Sequence, residues 1–168
     1  EELVSIRLIN LLYNYEYINS SSTKYESNLL NKIIYIHLHR VFFEFNNKKI
    51  NEISSYDIVA YLLSCFILNK VNTKKINYTK FIIAYQIDNL GMHKSYNILE
   101  HSKFINNLKE IKNILLFFKI NNFNEIENII LKSTSILNQY FHHDGSLPLF
   151  NGSNNNYTTQ IYESINEE

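Results

Sequence analysis

Six histidines, one cysteine and 13 tyrosines are the side chains of this sequence best suited to move protons or hold a metal. His142, His143 and Asp144 stand in a row. Imidazoles beside a carboxylate are the usual material of general acid–base catalysis, and two adjacent imidazoles can form half of a metal site. No third ligand stands at a recognisable spacing, and Asp144-Gly145 is equally a turn signal, as is Asn151-Gly152. Neither turn is a phosphate loop, because no Lys-Ser/Thr follows and no strand precedes. His37 and His39 lie two apart in a helical stretch, point to different faces and cannot share a metal. His37 falls on an apolar stripe and reads as a core histidine satisfied by a neighbour. His93 and His101 would be separated by about 12 Å along a helix. That excludes a shared metal without a fold-back and leaves both on a solvated face. Cys65, alone, excludes an intrachain disulfide and any multi-cysteine zinc site. Tyrosine and phenylalanine faces could stack on sugars, but most of these rings lie on helical stripes, where a core explains them.

The elements that must position these groups are helices. Leu3, Ile6, Ile9 and Tyr13 repeat at three- and four-residue steps and predict a helix from Glu2 to about Ile18. The run Asn19 to Thr23, rich in side chains that compete for backbone hydrogen bonds, ends it. Tyr25 to about Phe45 carries Leu29, Ile33, His37, Val41 and Phe45 on one stripe, with Leu30, Ile34, Leu38 and Phe42 as a flanking ridge. Ser55 to about Leu68 is apolar nearly all round and fits an inner layer, with Ser54 or Ser55 as its N-cap. Further helices are predicted over about Asn77 to Asn89, Tyr96 to Phe118 and Asn124 to Phe141. A break falls at Asn89-Leu90-Gly91. His142 to Asn156 lacks periodicity and holds two of the three glycines and the only proline. Long loops of this kind are often functional.

Composition narrows the function classes. Three glycines, one proline and two alanines argue against collagen-like chains, linkers and an all-β sandwich. The 26 Asn, 25 Ile and 14 Lys against 2 Arg reflect AT-rich codons rather than a prion-like segment. Sixteen basic and 16 acidic residues cancel, so there is no electrostatic footprint for nucleic acid or an anionic membrane. No run of apolar residues is long enough to span a bilayer, and no signal peptide is visible. A start at Glu1 without Met leads to the expectation of a piece of a longer protein.

Tyr140 to Ser153 (Tyr-Phe-His-His-Asp-Gly-Ser-Leu-Pro-Leu-Phe-Asn-Gly-Ser) resembles a segment of bacterial heparinase II/III family proteins that reads F-F-R-H-G-D-G-x-L-A-L-F-N-G. Phe141, His143, Asp144, Gly145, Leu147, Leu149, Phe150, Asn151 and Gly152 match. His142 replaces the Arg, one Gly is missing, and Pro148 replaces a small residue. Upstream, Glu26 to Phe45 looks like the family helix R-L-L-x-S-L-x-R-Q-x-x-H-L-x-x-x-L-E-W, with Glu44-Phe45 at the Glu-Trp. Tyr85 to Ser95 resembles E-Q-I-L-P-D-G-G-H-x-E-R-S. Asp88 and Ser95 match there, while Asn89-Leu90-Gly91 stands at the Gly-Gly-His. The resemblance spans residues 6 to 155.

What the resemblance implies is an all-α fold of about six or seven antiparallel helices forming part of an (α/α) toroid. Residues 1–141 would be its helical hairpins, 142–156 a closing loop, and 157–168 the start of a further helix or a linker to a missing C-terminal β-sandwich. The implied activity is β-elimination on uronic-acid polysaccharides. A basic Tyr or His takes the C5 proton, the uronate carboxylate is neutralised, and an acid protonates the leaving oxygen. Carried over residue by residue, Asn51 and His143 are the catalytic candidates, and Asp144 and Asn151 the substrate-binding ones. The plain reading beside this makes Asp144 the cap of a turn and Asn151 the holder of a left-handed position. The tyrosine expected after the Ser falls near Ile98, and Tyr96 is two residues out of register. The implied partners are an acidic polysaccharide and the missing β-sandwich, without which the helices would be inert. No cofactor, metal, nucleic acid or membrane span is implied, and the compartment by analogy is the periplasm. A non-enzymatic helical repeat scaffold binding a protein partner is the alternative, although the signature positions of known repeats are missing. A remnant of a decayed gene is a third.

Overall fold

The computed structural model describes residues 2–120, 123–143, 146 and 148. Among them it is all-α: α1 (Glu2–Tyr13), α2 (Tyr15–Ser20), α3 (Lys24–Asn47), α4 (Ser55–Ile67), α5 (Thr73–Gln86), α6 (Ile98–Phe117) and α7 (Asn124–Gln139), with a 3-10 turn at Ile50–Glu52. The fold class expected from periodicity is the one observed. The chain forms two compact units that divide between Ile76 and Asn77. The division falls inside the stretch 1–141 read as helical hairpins.

In the first unit α1 and α3 both pack on α4. The run Asp57 to Leu62, with Ser64 and Cys65, is buried, as an inner-layer helix requires. Thr23 caps α3 through a reciprocal pair with Glu26, and Ser54 caps α4 through another with Asp57, so both helices start where their sequences satisfy the orphan N–H groups. The core ridge of α3 is Leu30, Ile34, Leu38, Val41 and Phe45. This corrects the stripe expected through Leu29, Ile33 and His37, of which Leu29 and Ile33 are exposed. His37 sits half-buried at the margin, and its Nδ1–H donates to the Ile33 carbonyl at 2.9 Å. Phe45 and Tyr61 stack with ring centroids 3.9 Å apart, tying α3 to α4. The single helix expected from Glu2 to Ile18 is interrupted at Asn14, whose carboxamide donates to the Asn10 carbonyl.

In the second unit α6 packs on α7. Ile98, Phe104, Ile105, Leu108, Ile111 and Leu115 are at most 1% exposed. Each such side chain contributes about 1.5–3 kcal/mol when fully buried. Met92, Ile98, Ile105 and Leu137 form one cluster, flanked by Leu99, Ile136, Tyr140 and Phe141.

Helices α4 and α6 both end in left-handed residues, Asn69 (φ 53°) and Lys119 (φ 59°). Lys70 N–H reaches the Cys65 carbonyl and Asn69 N–H that of Phe66; Ile120 and Lys119 do the same to Leu115 and Leu116. These are Schellman caps, a position normally given to glycine. With three glycines in the chain, Asn and Lys fill it instead.

Candidate functional site

Between α5 and α6 the chain makes a closed turn from Ile87 to Asn97. Asp88 organises it: its Oδ1 accepts the N–H groups of Leu90, Gly91 and Met92, each at 2.9 Å. The Asp88 N–H donates to Met92 O, the Lys94 N–H to Gln86 O, and Ile87 pairs with His93 in an isolated antiparallel bridge. Burial pushes the Asp88 carboxyl up, but the donors from Met92, Leu90 and Gly91 and the Tyr96 hydroxyl outweigh it and hold it below the usual carboxylate range. Gly91 is required, because its φ is +97° and a Cβ there would lie 2.8 Å from Lys132 Cγ.

The turn is fastened to the helices behind it through His101 and Ser133. His101 Nδ1 accepts the His93 N–H at 3.1 Å, and its other ring nitrogen lies 2.9 Å from the Ser133 carbonyl. A backbone N–H can only donate and a carbonyl can only accept, so His101 is neutral with its proton on Nε2. Ser133 Oγ–H in turn donates to Gly91 O at 2.8 Å, and the Lys132 ammonium donates to Asn89 O. His101 is 0% exposed. Burial is the main force lowering its pKa, opposed by the bond to Ser133 and by Asp88 and assisted by His93. This overturns the expectation of a solvated face for His93 and His101. The fold-back needed to bring them together does occur, at the Asn89-Leu90-Gly91 break.

After Gly91 the turn continues through His93, Lys94, Ser95 and Tyr96, of which the last three are exposed. His93 is half-buried, with its ring 5.2 Å from that of Phe104. Burial lowers its pKa and nearby Glu100 opposes the shift. Its Nδ1 lies 2.8 Å from Ser95 Oγ and also accepts the Ser95 N–H. Lys94 is exposed, its ammonium 4.2 Å from the centre of the Tyr85 ring and donating to the Tyr85 carbonyl. Tyr96 is 49% exposed and held at φ 51°. A bulky residue in that region costs about 1–2 kcal/mol, and such strain gathers at functional sites. Four consecutive residues of the turn that Asp88 organises thus carry an imidazole, an ammonium, a hydroxyl and a phenol.

The residues singled out from the resemblance lie elsewhere. Asn51 is exposed in the 3-10 turn after α3, in the first unit. His143 is exposed in the second unit, beyond α7, where the His142 N–H closes a turn on Ser146 O at 2.9 Å. Asp144 and Asn151 lie outside the described residues. Among the described residues no three His, Cys, Asp or Glu side chains gather as a metal site would need, and no helix is long and apolar enough to cross a membrane.

The first unit has a polar centre of a different kind. Asp57, 3% exposed, accepts from Ser5 Oγ at 2.5 Å, Lys48 Nζ at 2.8 Å and Ser54 N at 2.9 Å. Burial raises its pKa, and the bonds from Lys48, Ser5 and Ser54 lower it further than burial raises it. The space around Asp57 admits no water-sized molecule, so this centre clamps helices and offers no site.

No family model, curated protein or solved structure matches the chain.

Proposed function

We propose that the chain is the helical domain of a heparinase II/III-like polysaccharide lyase acting on uronic-acid glycans by β-elimination. The turn from Asp88 to Tyr96 carries this reading. Asp88 and Ser95 are positions the resemblance aligned, and around them stand the group types that β-elimination requires. The exposed Lys94 ammonium neutralises the substrate carboxylate and so lowers the barrier to removing the C5 proton. His93, kept neutral by burial, takes that proton once both the Ser95 hydroxyl and the Ser95 N–H release Nδ1. The C4–O bond then breaks as the C4–C5 double bond forms, and the Tyr96 phenol, released from Asp88, gives its proton to the departing oxygen. Asn51 and His143 as catalytic residues, with Asp144 and Asn151 as substrate-binding ones, complete the proposal from the resemblance.

The test is to incubate the polypeptide as its gene encodes it with uronic-acid polysaccharides and follow the ultraviolet absorbance of an unsaturated uronate. The expected rise is lost in His93→Ala, Tyr96→Phe, Asn51→Ala and His143→Ala. A folded protein that yields no product from any acidic glycan would sink the lyase reading. It would leave the helical scaffold for a protein partner.

A further inference from the structure

The second unit carries a cleft that the Asp88 turn does not use. It has a volume of about 720 Å³ and lies between α5, which contributes Asn77, Lys80 and Phe81, and the first turns of α7, which contribute Glu125, Asn128 and Ile129. Clefts of about 300–1,000 Å³ with an apolar lining and a few placed polar groups are what small molecules occupy. Asn77, Lys80 and Phe81 recur at helical spacing and share one face of α5.

Lys80 is the group that gives the cleft its sign. Its side chain is 9% exposed, whereas that of Glu125, its ion-pair partner at 3.4 Å, is 72% exposed. A buried ammonium requires a negative partner. A carboxylate that stands mostly in water, beyond the length of a tight charge-assisted bond, is a partner that an entering anion can displace. Phe81, 60% exposed, offers an aromatic surface beside it, and Ile129 adds apolar wall. The carboxamides of Asn77 and Asn128 can both donate to and accept from hydroxyls.

We infer that this cleft binds a small ring-bearing carboxylate, with its carboxylate on Lys80 and its ring against Phe81. An acidic sugar and an aromatic acid both have that chemistry. The inference does not depend on the lyase reading: product formation without binding here would reject this site alone, and binding here without product would reject the lyase alone.

Methyl glucuronide and benzoate, titrated separately into the protein, serve as probes, with binding read from the amide resonances of α5 and α7. At least one probe gives saturable shifts confined to the cleft. Lys80→Met weakens that binding by about tenfold or more, as expected for a lost charge-assisted bond. Phe81→Ala, at an exposed residue that leaves the core intact, weakens it severalfold. Glu125→Gln tightens it, because the competing carboxylate is gone. Glucuronide alone identifies an acidic sugar, benzoate alone an aromatic acid, and both the shared chemistry. The inference is overturned if neither probe gives saturable shifts in the cleft, or if affinity is unchanged in both Phe81→Ala and Glu125→Gln.

Discussion

Two buried or half-buried aspartates organise the two units, and they do so in opposite ways. Asp57 joins one distant donor, Ser5 of α1, to Lys48 just after α3 and to the N–H of Ser54 in its own cap, and one of the three is a cation. Asp88 draws three N–H groups from its own turn. The first arrangement locks helices together and leaves no space. The second shapes a loop that leaves Lys94 and Tyr96 exposed and His93 half-buried. Both carboxyls are held below their ordinary pKa by hydrogen bonds. A lowered carboxyl therefore does not distinguish a clamp from a site; the origin of its donors does.

The largest expected effect separates them directly. Asp57→Ala leaves Lys48, whose side chain is 9% exposed, as a buried cation without its partner, a loss of about 3–5 kcal/mol. Asp88→Ala, removing bonds within one turn, costs about 1–2 kcal/mol. Urea unfolding of both variants checks the order. Equal losses would mean that the Asp88 turn is as structural as the clamp.

Acid sharpens the contrast. His101 is neutral when folded with its pKa below the ordinary imidazole value of 6.5, so below that pH the unfolded chain binds more protons than the folded one. Its stabilisation is therefore complete above about pH 6.5 and declines as pH falls toward the folded pKa. Asp57, lowered from 3.8, contributes above about pH 3.8 and loses that contribution only in stronger acid. The second unit should loosen first on acidification. Amide exchange between pH 7 and pH 5 is expected to rise around Gly91 and Ser133 before it rises around Asp57, and His101→Gln should flatten that response. Simultaneous loosening would contradict it.

Gly91→Ala is expected to cost about 1–3 kcal/mol, from the positive φ and the approach to Lys132, measured as a drop in the urea midpoint. The smallest effect is a gain. Lys119→Gly, at φ 59°, relieves about 1 kcal/mol of left-handed strain at a helix cap and should leave activity unchanged. Tyr96→Gly relieves similar strain at φ 51° but removes the phenol and its hydrogen bond to Asp88, so the gain in stability should be smaller than at Lys119 while product formation stops. If product formation survives Tyr96→Gly, the strain at Tyr96 has no catalytic meaning.

Much of this architecture was legible in one dimension. The apolar period of α3, the all-round apolar α4, a cap at Ser54 or Ser55 and the break at Asn89-Leu90-Gly91 follow from residue types and spacing. The ridge error in α3 arose because two adjacent apolar rows satisfy the same period, and contact with α4 selects between them. His101 carried a readable signal: it stands three residues before Phe104 on the stripe that continues through Leu108, Ile111 and Leu115. Its polarity masked that signal until a donor and an acceptor could be seen to satisfy both ring nitrogens. Tyr96 gave none, because a left-handed tyrosine has no compositional mark.

The sequence by itself determined that this protein is a set of helices, where most of them start and stop, and which side chains have the chemistry to act. Those properties are local, set by hydrogen-bond competition and helical period within a few residues. Only the tertiary structure decided that Asp57 is a clamp, that Asp88 shapes a turn, and that Lys80 is buried beside a cleft. Each depends on which distant groups arrive to desolvate a charge or donate to it, and that is fixed by packing rather than by spacing along the chain.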